Sequence, residues 1–475
     1  MNSTYKLKWI EYFNKIAPSY LQYKRKFKYY RKDNIKYFNY FLTEDNSILE
    51  IGCGVGDTLS QLKGTDKKGI DYSESMIKEA KTHFPELDFM LADASKPYEL
   101  DKKYDVIILS NVIGCFENIL DVLKQLPEHC HQNTKIFVNH YNRLWQPFIN
   151  FSEFIGIKKK SPEQNWLSQH DIKNLLFLAG FDSFRTNTRL LIPFNIPIIS
   201  FIFNRFFANL PGFRHLCLSQ YVFAKPLPIK IEEVQHRKVT VVVPARNESG
   251  NIEKAILETP ELGLGTELIF IEGNSTDDTW EVIQEMYEKY KDKREIVIDR
   301  QPGKGKYDAV KKGYDIATGD VLMILDGDLT VPPEDLTKFY EALVTSKGEF
   351  INGCRLIYPM EKKAMRFLNI LGNKFFSMAF SWLLEQPIKD TLCGTKVMYR
   401  KDYEKLAQNR KYFGDFDPFG DFDLLFGSYK LNLKIIDLPI RYKERVYGET
   451  NISRFKHGLI LLRMVFFAMN KIKFY

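Results

Sequence analysis

Asp326 and Asp328 stand two positions apart directly after an apolar run, residues 321–325. A strand over that run, continued in extended geometry, places both carboxylates on one side. Two neighbouring carboxylates in an apolar setting are costly unless a cation neutralises them. Mg²⁺ or Mn²⁺ would do so, since hard ions take oxygen ligands and share them with substrate phosphates. A lone DxD is common by chance; this one gains weight from its place between a buried strand and "TVPPEDL". Upstream, "RQPGKGK" puts Gly303 and Gly305 in a flexible turn whose Lys304 and Lys306 can reach a diphosphate. The spacing is not the GxxxxGK[ST] of a P-loop. Two more carboxylates follow hydrophobic strands, Glu248 in "VVVPARNESGNI" and Glu272 in "ELIFIEGNSTDDT". At the carboxyl edges of neighbouring strands they face the crevice where open sheets bind ligands. They can accept from ribose hydroxyls and from a uracil or guanine edge, though not hold phosphate.

A second set lies near the N-terminus, where "NSILEIGCGVGDTL" puts Glu50, Gly52, Gly54 and Gly56 at the end of a strand. Asp57 stands where a GxGxxG fingerprint has its third glycine, so a dinucleotide fold is the weaker reading. The glycines let the backbone pass close to a ligand that lacks a large anionic group. Asp71, ending "KKGID", is placed to accept from two ribose hydroxyls, and Asp93 in "FMLADASK" from an adenine amine. Asn111 begins the stretch that would face a second substrate. His140 is a candidate base, although a lone histidine after a strand is more often structural.

The elements that must position these groups form two α/β patterns. Strand-like runs at 48–51, 67–70, 88–91, 105–110 and 135–139 alternate with helix-length segments up to about Gly180, the signature of a doubly wound sheet. A second strand-first pattern opens at "KVTVVVP", residues 238–244, after a linker at 225–237 with two prolines. At 475 residues, with 44% apolar and 14% aromatic side chains, the chain supports more than one full core. Six scattered cysteines without a CxxC pair read as reduced thiols of a cytosolic protein, not as a disulfide, iron–sulfur or zinc framework. The polar, aromatic opening "MNSTYKLKWIEYF" has no signal-peptide core, which argues against secretion.

The net charge of +8 admits nucleic acid, an anionic membrane or phosphorylated substrates. Lys24, Arg25, Lys26, Lys28, Arg31 and Lys32 fall in helix-like sequence, where solvated faces are the commoner explanation, and no nucleic-acid partner is expected. The apolar stretch 190–210 is interrupted by Pro193, Asn195, Pro197, Asn204 and Arg205, which weighs against a spanning helix. The tail 456–475 is apolar and basic, with no acidic residue after Glu449. Both read as elements lying on lipid, their basic ends near headgroups. Packing against each other or against another domain is the plainer alternative.

Over about residues 238–455, these motifs resemble the family 2 inverting glycosyltransferases of the GT-A fold, especially the dolichol-phosphate mannose synthase and polyprenyl-phosphate glucosyltransferase branch. The resemblance implies that Pro244, Arg246 and Glu248 of the opening turn bind base and ribose. The usual "DD" of the second strand appears as Glu272-Gly273. Asp326 would lie nearer the nucleoside and Asp328 on the metal. "DTLCGTKVMYR" matches the acceptor-side segment, with Lys396 in place of a frequent arginine. "DPFGDFDLLFG" matches a helix entry whose acidic residue, Asp421 or Asp423, lies near the acceptor. "RVYGETNISR" matches a basic gate over the diphosphate, with Arg445 and Arg454 as its charges. The implied reaction is metal-dependent transfer of a hexose from a UDP- or GDP-sugar, with Lys304 and Lys306 near the diphosphate.

Over about residues 12–180, the N-terminal half resembles the class I S-adenosylmethionine-dependent methyltransferases, a Rossmann-like fold. Glu50, Gly52, Gly54 and Gly56 match their motif I, Asp71 the ribose position, Asp93 the adenine side and Asn111 the loop after the fourth strand. Residues 12–24 match an N-terminal lid. No NPPY-type motif follows Leu109, so adenine or glutamine N-methylation is not suggested. The expected organisation is a methyltransferase-like domain at 1–224, the linker, a transferase domain at 238–455 and a membrane-surface tail. The expected acceptor is polyprenyl phosphate at an anionic membrane surface, on the cytoplasmic face, alongside other glycan-assembly enzymes. A hydroxyl of a lipid-linked glycan, with sugar O-methylation, is the second expectation; a membrane scaffold with an inactive methyltransferase fold is the third.

Overall fold

The computed structural model describes residues 4–356, 367–408, 421–440, 443 and 454–474. The chain divides into two compact units, Met1–Leu227 with Lys473–Tyr475, and Pro228–Ile472.

In the first unit, β1 (Ser47–Ile51), β2 (Asp66–Asp71), β3 (Asp88–Leu91), β4 (Tyr104–Ser110) and β5 (Cys130–Tyr141) run parallel. β6 (Phe181–Arg189) and β7 (Ser219–Pro226) add antiparallel beyond β5, in the order β3-β2-β1-β4-β5-β7-β6. β1 and β4 read as apolar runs because a parallel sheet is covered on both faces; Ile48, Leu49, Ile107, Ile108 and Leu109 are all buried. The pattern expected to end near Gly180 thus gains two strands. β6, "FDSFRTNTR", lacks the alternation that marks a strand because Arg185, Asn187 and Thr188 are buried in it. The Arg185 guanidinium sits 4.8 Å from the centre of the Phe41 ring, an aromatic face that receives a cation.

The linker expected at 225–237 begins later. Lys225 and Pro226 close β7, and Ile231–Glu233 is a single 3-10 turn. The apolar stretch 190–210 is an excursion between β6 and β7 whose α-helix, Ile199–Arg205, has only seven residues. Among the described residues no helix is long and apolar enough to cross a membrane.

In the second unit, β8 (Val239–Ala245), β9 (Thr266–Glu272), β10 (Glu295–Arg300) and β11 (Val321–Ile324) run parallel. β12 (Phe350–Cys354), β13 (Lys396–Tyr399) and β14 (Ile435–Pro439) complete the order β10-β9-β8-β11-β13-β12-β14, with β13 antiparallel to both neighbours. The C-terminal helix Arg454–Ala468 packs on the helix Phe367–Leu384. Leu461, Met464, Val465 and Ala468 form its buried stripe, leaving Leu462, Arg463 and Phe466 exposed. The tail expected to lie on lipid therefore turns one face to the protein.

Each sheet reverses its strand order beside its first strand, between β1 and β4 and between β8 and β11. The loops leaving those strands flank the crevice of an open α/β sheet.

Candidate active sites

In the second unit, pairing ends at Ile324, and the chain then turns instead of staying extended. Asp326 and Asp328 are therefore not two rungs of one strand. Gly327 passes so close to β8 that a Cβ there would lie 2.8 Å from the Pro244 carbonyl oxygen. Asp326 meets the Lys306 ammonium, and Asp328 Oδ1 accepts from Thr330 Oγ1 at 2.8 Å and from its N–H at 3.2 Å. Burial pushes the Asp326 carboxyl up, but Lys306, with Lys396 and Arg355, outweighs it and holds the group below the ordinary carboxylate range. Lys306 begins the helix Lys306–Ile316 after Gly305, whose φ of +88° suits glycine. Expected at a diphosphate, it neutralises Asp326 in this structure; Lys304 is exposed.

The turns after β8 and β9 are stitched together. The Asn247 N–H donates to Ser275 Oγ, Thr276 N–H to Asn247 Oδ1, and Glu248 N–H to Thr279 Oγ1. Glu248 is buried and accepts from Asn251 at 2.7 Å, whereas Arg246 is exposed. Glu272 is buried at the end of β9, accepts from the Ser275 N–H, and lies 3.7 Å from Arg300. Lys396, expected at the acceptor, is buried in β13 with its ammonium donating to the Cys393 carbonyl. Asp423 is buried and accepts from the Tyr307 hydroxyl at 3.1 Å. Arg445 lies outside the described residues, as do the side chains of Asp421 and Arg454.

Three participants escaped sequence reading. Tyr307 follows Lys306 and reaches Asp423. Arg355 pairs with buried Asp390 through Nε at 2.7 Å and Nη2 at 2.8 Å. Gly394 covers the Asp326–Lys306 pair, since a Cβ there would lie 2.1 Å from Asp326 Oδ2 and from Lys306 Nζ. The only signal for Gly394 was its place in "DTLCGTK".

Among the described residues no group of three or more His, Cys, Asp or Glu side chains forms a metal cage. Two carboxylates still suit a hard divalent ion, which commonly takes one or two from the protein and the rest from substrate phosphate and water. The ammonium already held against Asp326 shows that this position attracts a cation.

In the first unit, Gly52, Gly54 and Gly56 all have positive φ, with distinct consequences. A Cβ on Gly52 or Gly56 would strike Val112 or Phe89, whereas one on Gly54 would meet only Tyr20 at 3.7 Å. Asp71 Oδ2 accepts from the Gly54 N–H at 2.9 Å and Oδ1 from the Ser73 N–H at 2.8 Å. Asp93 is engaged by Lys6 from the N-terminal helix Thr4–Arg25, and by Ser95. Burial pulls the Asp93 carboxyl up, and these donors bring it below its usual range. Asn111 has φ +54° and accepts from the Tyr30 hydroxyl at 2.7 Å, beside a small cavity that His140 also lines. Burial lowers the His140 imidazole to about 4, so it is neutral near pH 7.

Part of the basic N-terminal run is not a solvated face. Lys24 and Arg31 both pair with buried Asp57, the residue standing where a third glycine would be. Glu50 is buried close by, and burial pushes its carboxyl up to about 8, with Lys24 and Arg31 pulling the other way. The folded chain thus holds a proton on Glu50 that the unfolded chain, near the ordinary 4.5, has released. Stability of the first unit should accordingly fall as pH rises from about 4.5 towards 8. A Glu50→Gln variant should show a flatter melting temperature over that range in a calorimetric pH series. A slope identical to that of the parent would contradict this placement of the proton.

Residues 240–406 match the family model Glycosyl transferase family 2, and residues 22–184 match the model Methyltransferase domain. The chain joins an N-terminal methyltransferase-like Rossmann domain to a C-terminal family 2 glycosyltransferase domain of GT-A-like fold. A dolichol-phosphate mannosyltransferase of Pyrococcus furiosus is 30% identical over 225 residues, covering 46% of this chain and 59% of that protein. The glycosyltransferase AglJ of Haloferax volcanii is 27% identical over 225 residues, 47% of this chain and 69% of that protein. The match thus spans well under two thirds of the Pyrococcus relative. An S-adenosylmethionine-dependent methyltransferase structure from Thermotoga maritima aligns at 14% identity and TM-score 0.36, over 46% of this chain and 99% of that one. At that score the strand order, not the likeness, defines the first fold.

Proposed function

We propose that the second unit transfers a hexose, with inversion, from a UDP- or GDP-sugar to polyprenyl phosphate, and that the first unit is an S-adenosylmethionine-dependent methyltransferase. The observation that carries the transferase reading is Asp326, held at the switch point of the sheet by Lys306 beneath Gly394. The relatives named for dolichol-phosphate mannosyl transfer support a lipid-phosphate acceptor. Work at an anionic surface on the cytoplasmic face, alongside other glycan-assembly enzymes, belongs to the same reading.

The acceptor phosphate oxygen attacks the anomeric carbon from the side opposite the leaving nucleoside diphosphate. That carbon–oxygen bond forms as the bond to the diphosphate breaks. A divalent ion on Asp326 and Asp328 would supply positive charge to the leaving group. Lys306, at the start of its helix beside Asp326, would supply a further positive charge to the diphosphate. Glu248 and Glu272 are the acceptors for base and ribose, and Arg246 is free to close over them.

A phosphate nucleophile arrives ionised and needs no base; a sugar hydroxyl does. Asp423, buried and bonded to Tyr307, favours the second reading, transfer to a hydroxyl of a lipid-linked glycan, in which it takes the proton. Purified protein given Mg²⁺ or Mn²⁺ and labelled UDP- and GDP-sugars should label undecaprenyl phosphate. Asp421→Asn and Asp423→Asn should both keep substantial activity. Product formed only on lipid-linked oligosaccharide, and lost in either variant, would replace the first reading with the second.

A further inference from the structure

In one region of the first unit two polar side chains tie the backbone together while a run of large apolar ones faces outward. Between β6 and β7, residues 190–218 contain no Asp or Glu. Ser200 Oγ accepts from the Ile196 N–H at 2.9 Å and donates to the Phe194 carbonyl at 2.5 Å. Asn204 accepts from the Ile192 N–H, donates to its carbonyl at 2.7 Å, and reaches the Tyr29 hydroxyl at 3.1 Å. With these groups tying the loop from within, Phe194, Ile198 and Phe201 point outward, 57%, 74% and 55% exposed. Ile198 also has φ +65°, a region that β-branched residues avoid.

A second segment also exposes large apolar side chains. The helix Gln146–Phe154 packs Ile149 against Tyr30, Leu190 and Leu218, and leaves Phe148, Phe151 and Phe154 exposed at 66%, 61% and 87%. The two segments meet at a groove where Ile157 and residues 193–195 face Lys26, Lys28 and Lys32. No acidic residue occurs from Lys15 to Lys32, and Glu153 is already paired with Lys158.

We propose that this face docks the first unit on a bilayer with anionic headgroups. The exposed phenylalanine and isoleucine side chains enter the headgroup–acyl boundary, and the groove lysines meet headgroup phosphates. A basic groove within an apolar rim matches a surface that is anionic outside and apolar just beneath. A bilayer has that layering and a folded protein partner does not. The proposal deepens the lipid-acceptor reading, on which it rests for why a bilayer is at hand, and gives the first unit its own contact with it.

All six native cysteines are buried, so Phe154→Cys offers a single accessible thiol for an environment-sensitive dye. The labelled full chain is mixed with phosphatidylglycerol–phosphatidylcholine vesicles, without nucleotide sugar or polyprenyl phosphate. Dye emission should shift to the blue on these vesicles and stay unchanged on pure phosphatidylcholine. Vesicle partition should weaken about a hundredfold in a Lys26→Glu, Lys28→Glu, Lys32→Glu chain. It should weaken about tenfold or more in a Phe148→Asp, Phe151→Asp chain, with circular dichroism confirming the fold of both. An unshifted dye overturns the proposal, whether the chain binds vesicles through its tail or not at all. An equal shift on neutral lipid overturns the headgroup assignment. Transfer to a detergent-dispersed acceptor is measured separately, so a failed docking surface and a failed transferase assignment give different results.

Discussion

Replacing Asp328 with asparagine should lower sugar transfer by about a hundredfold to a thousandfold, the range for removing one preorganised electrostatic contact. The melting temperature should change little. Asparagine keeps an Oδ1 that can accept from the Thr330 N–H and hydroxyl, so the turn after β11 retains those two bonds. Asp326 is the less clean target, because its removal takes a carboxylate partner from the Lys306 ammonium and disturbs the crevice itself. Gly394→Ala approaches the same site from outside. Its new Cβ would lie 2.1 Å from both Asp326 Oδ2 and Lys306 Nζ, so the pair must separate, and donor binding should fall along with turnover. Steady-state rates across a Mg²⁺ and Mn²⁺ titration separate these outcomes. Asp328→Asn that keeps parental, divalent-dependent turnover would remove Asp328 from the metal role.

Asp71→Ala should weaken S-adenosylmethionine binding by about tenfold to a hundredfold, from the loss of charge-assisted hydrogen bonds to a ribose. Each Asp71 oxygen already takes one N–H, from Gly54 or from Ser73. A carboxylate has about four acceptor positions, so those that the backbone donors leave open can still take a ribose hydroxyl. Sugar transfer should persist, because the second unit has its own core, built on Val241, Val243, Leu268, Phe270 and Met323. Titration calorimetry measures the first quantity and a transferase assay the second. Unchanged cofactor affinity would place the ribose elsewhere; loss of both activities would point to a folding defect instead.

Much of the architecture is legible in local sequence. Apolar residues at 48, 49 and 51, at 106–109 and at 321–325 mark buried parallel strands, since a strand covered on both faces is apolar at nearly every position instead of at every second one. Glycines at 52, 54 and 56 mark a turn with positive φ, a conformation that costs glycine little. Where polar residues are buried, that legibility ends. β6 carries Arg185, Asn187 and Thr188 inward and has no period to detect. The stretch 190–210 buries Ser200 and exposes Phe194, Phe201, Phe203 and Phe206, against the usual preference.

By itself, the sequence determined which residue types stand at the strand ends: carboxylates at or just after the ends of β8, β9 and β11, and a glycine loop after β1 with carboxylates at or just after the ends of β2 and β3. Those positions follow from strand ends and turns, which are decided within a few residues of chain. Only the tertiary structure decided which charges meet. Lys306 turns to Asp326, Tyr307 reaches Asp423 across 116 positions of chain, and Lys24 and Arg31 converge on Asp57. Gly394 acts through a missing side chain, visible only when the pair beneath it is in place. Such contacts depend on how sheets and helices stack, and no spacing along the chain encodes which distant partner a buried charge will find.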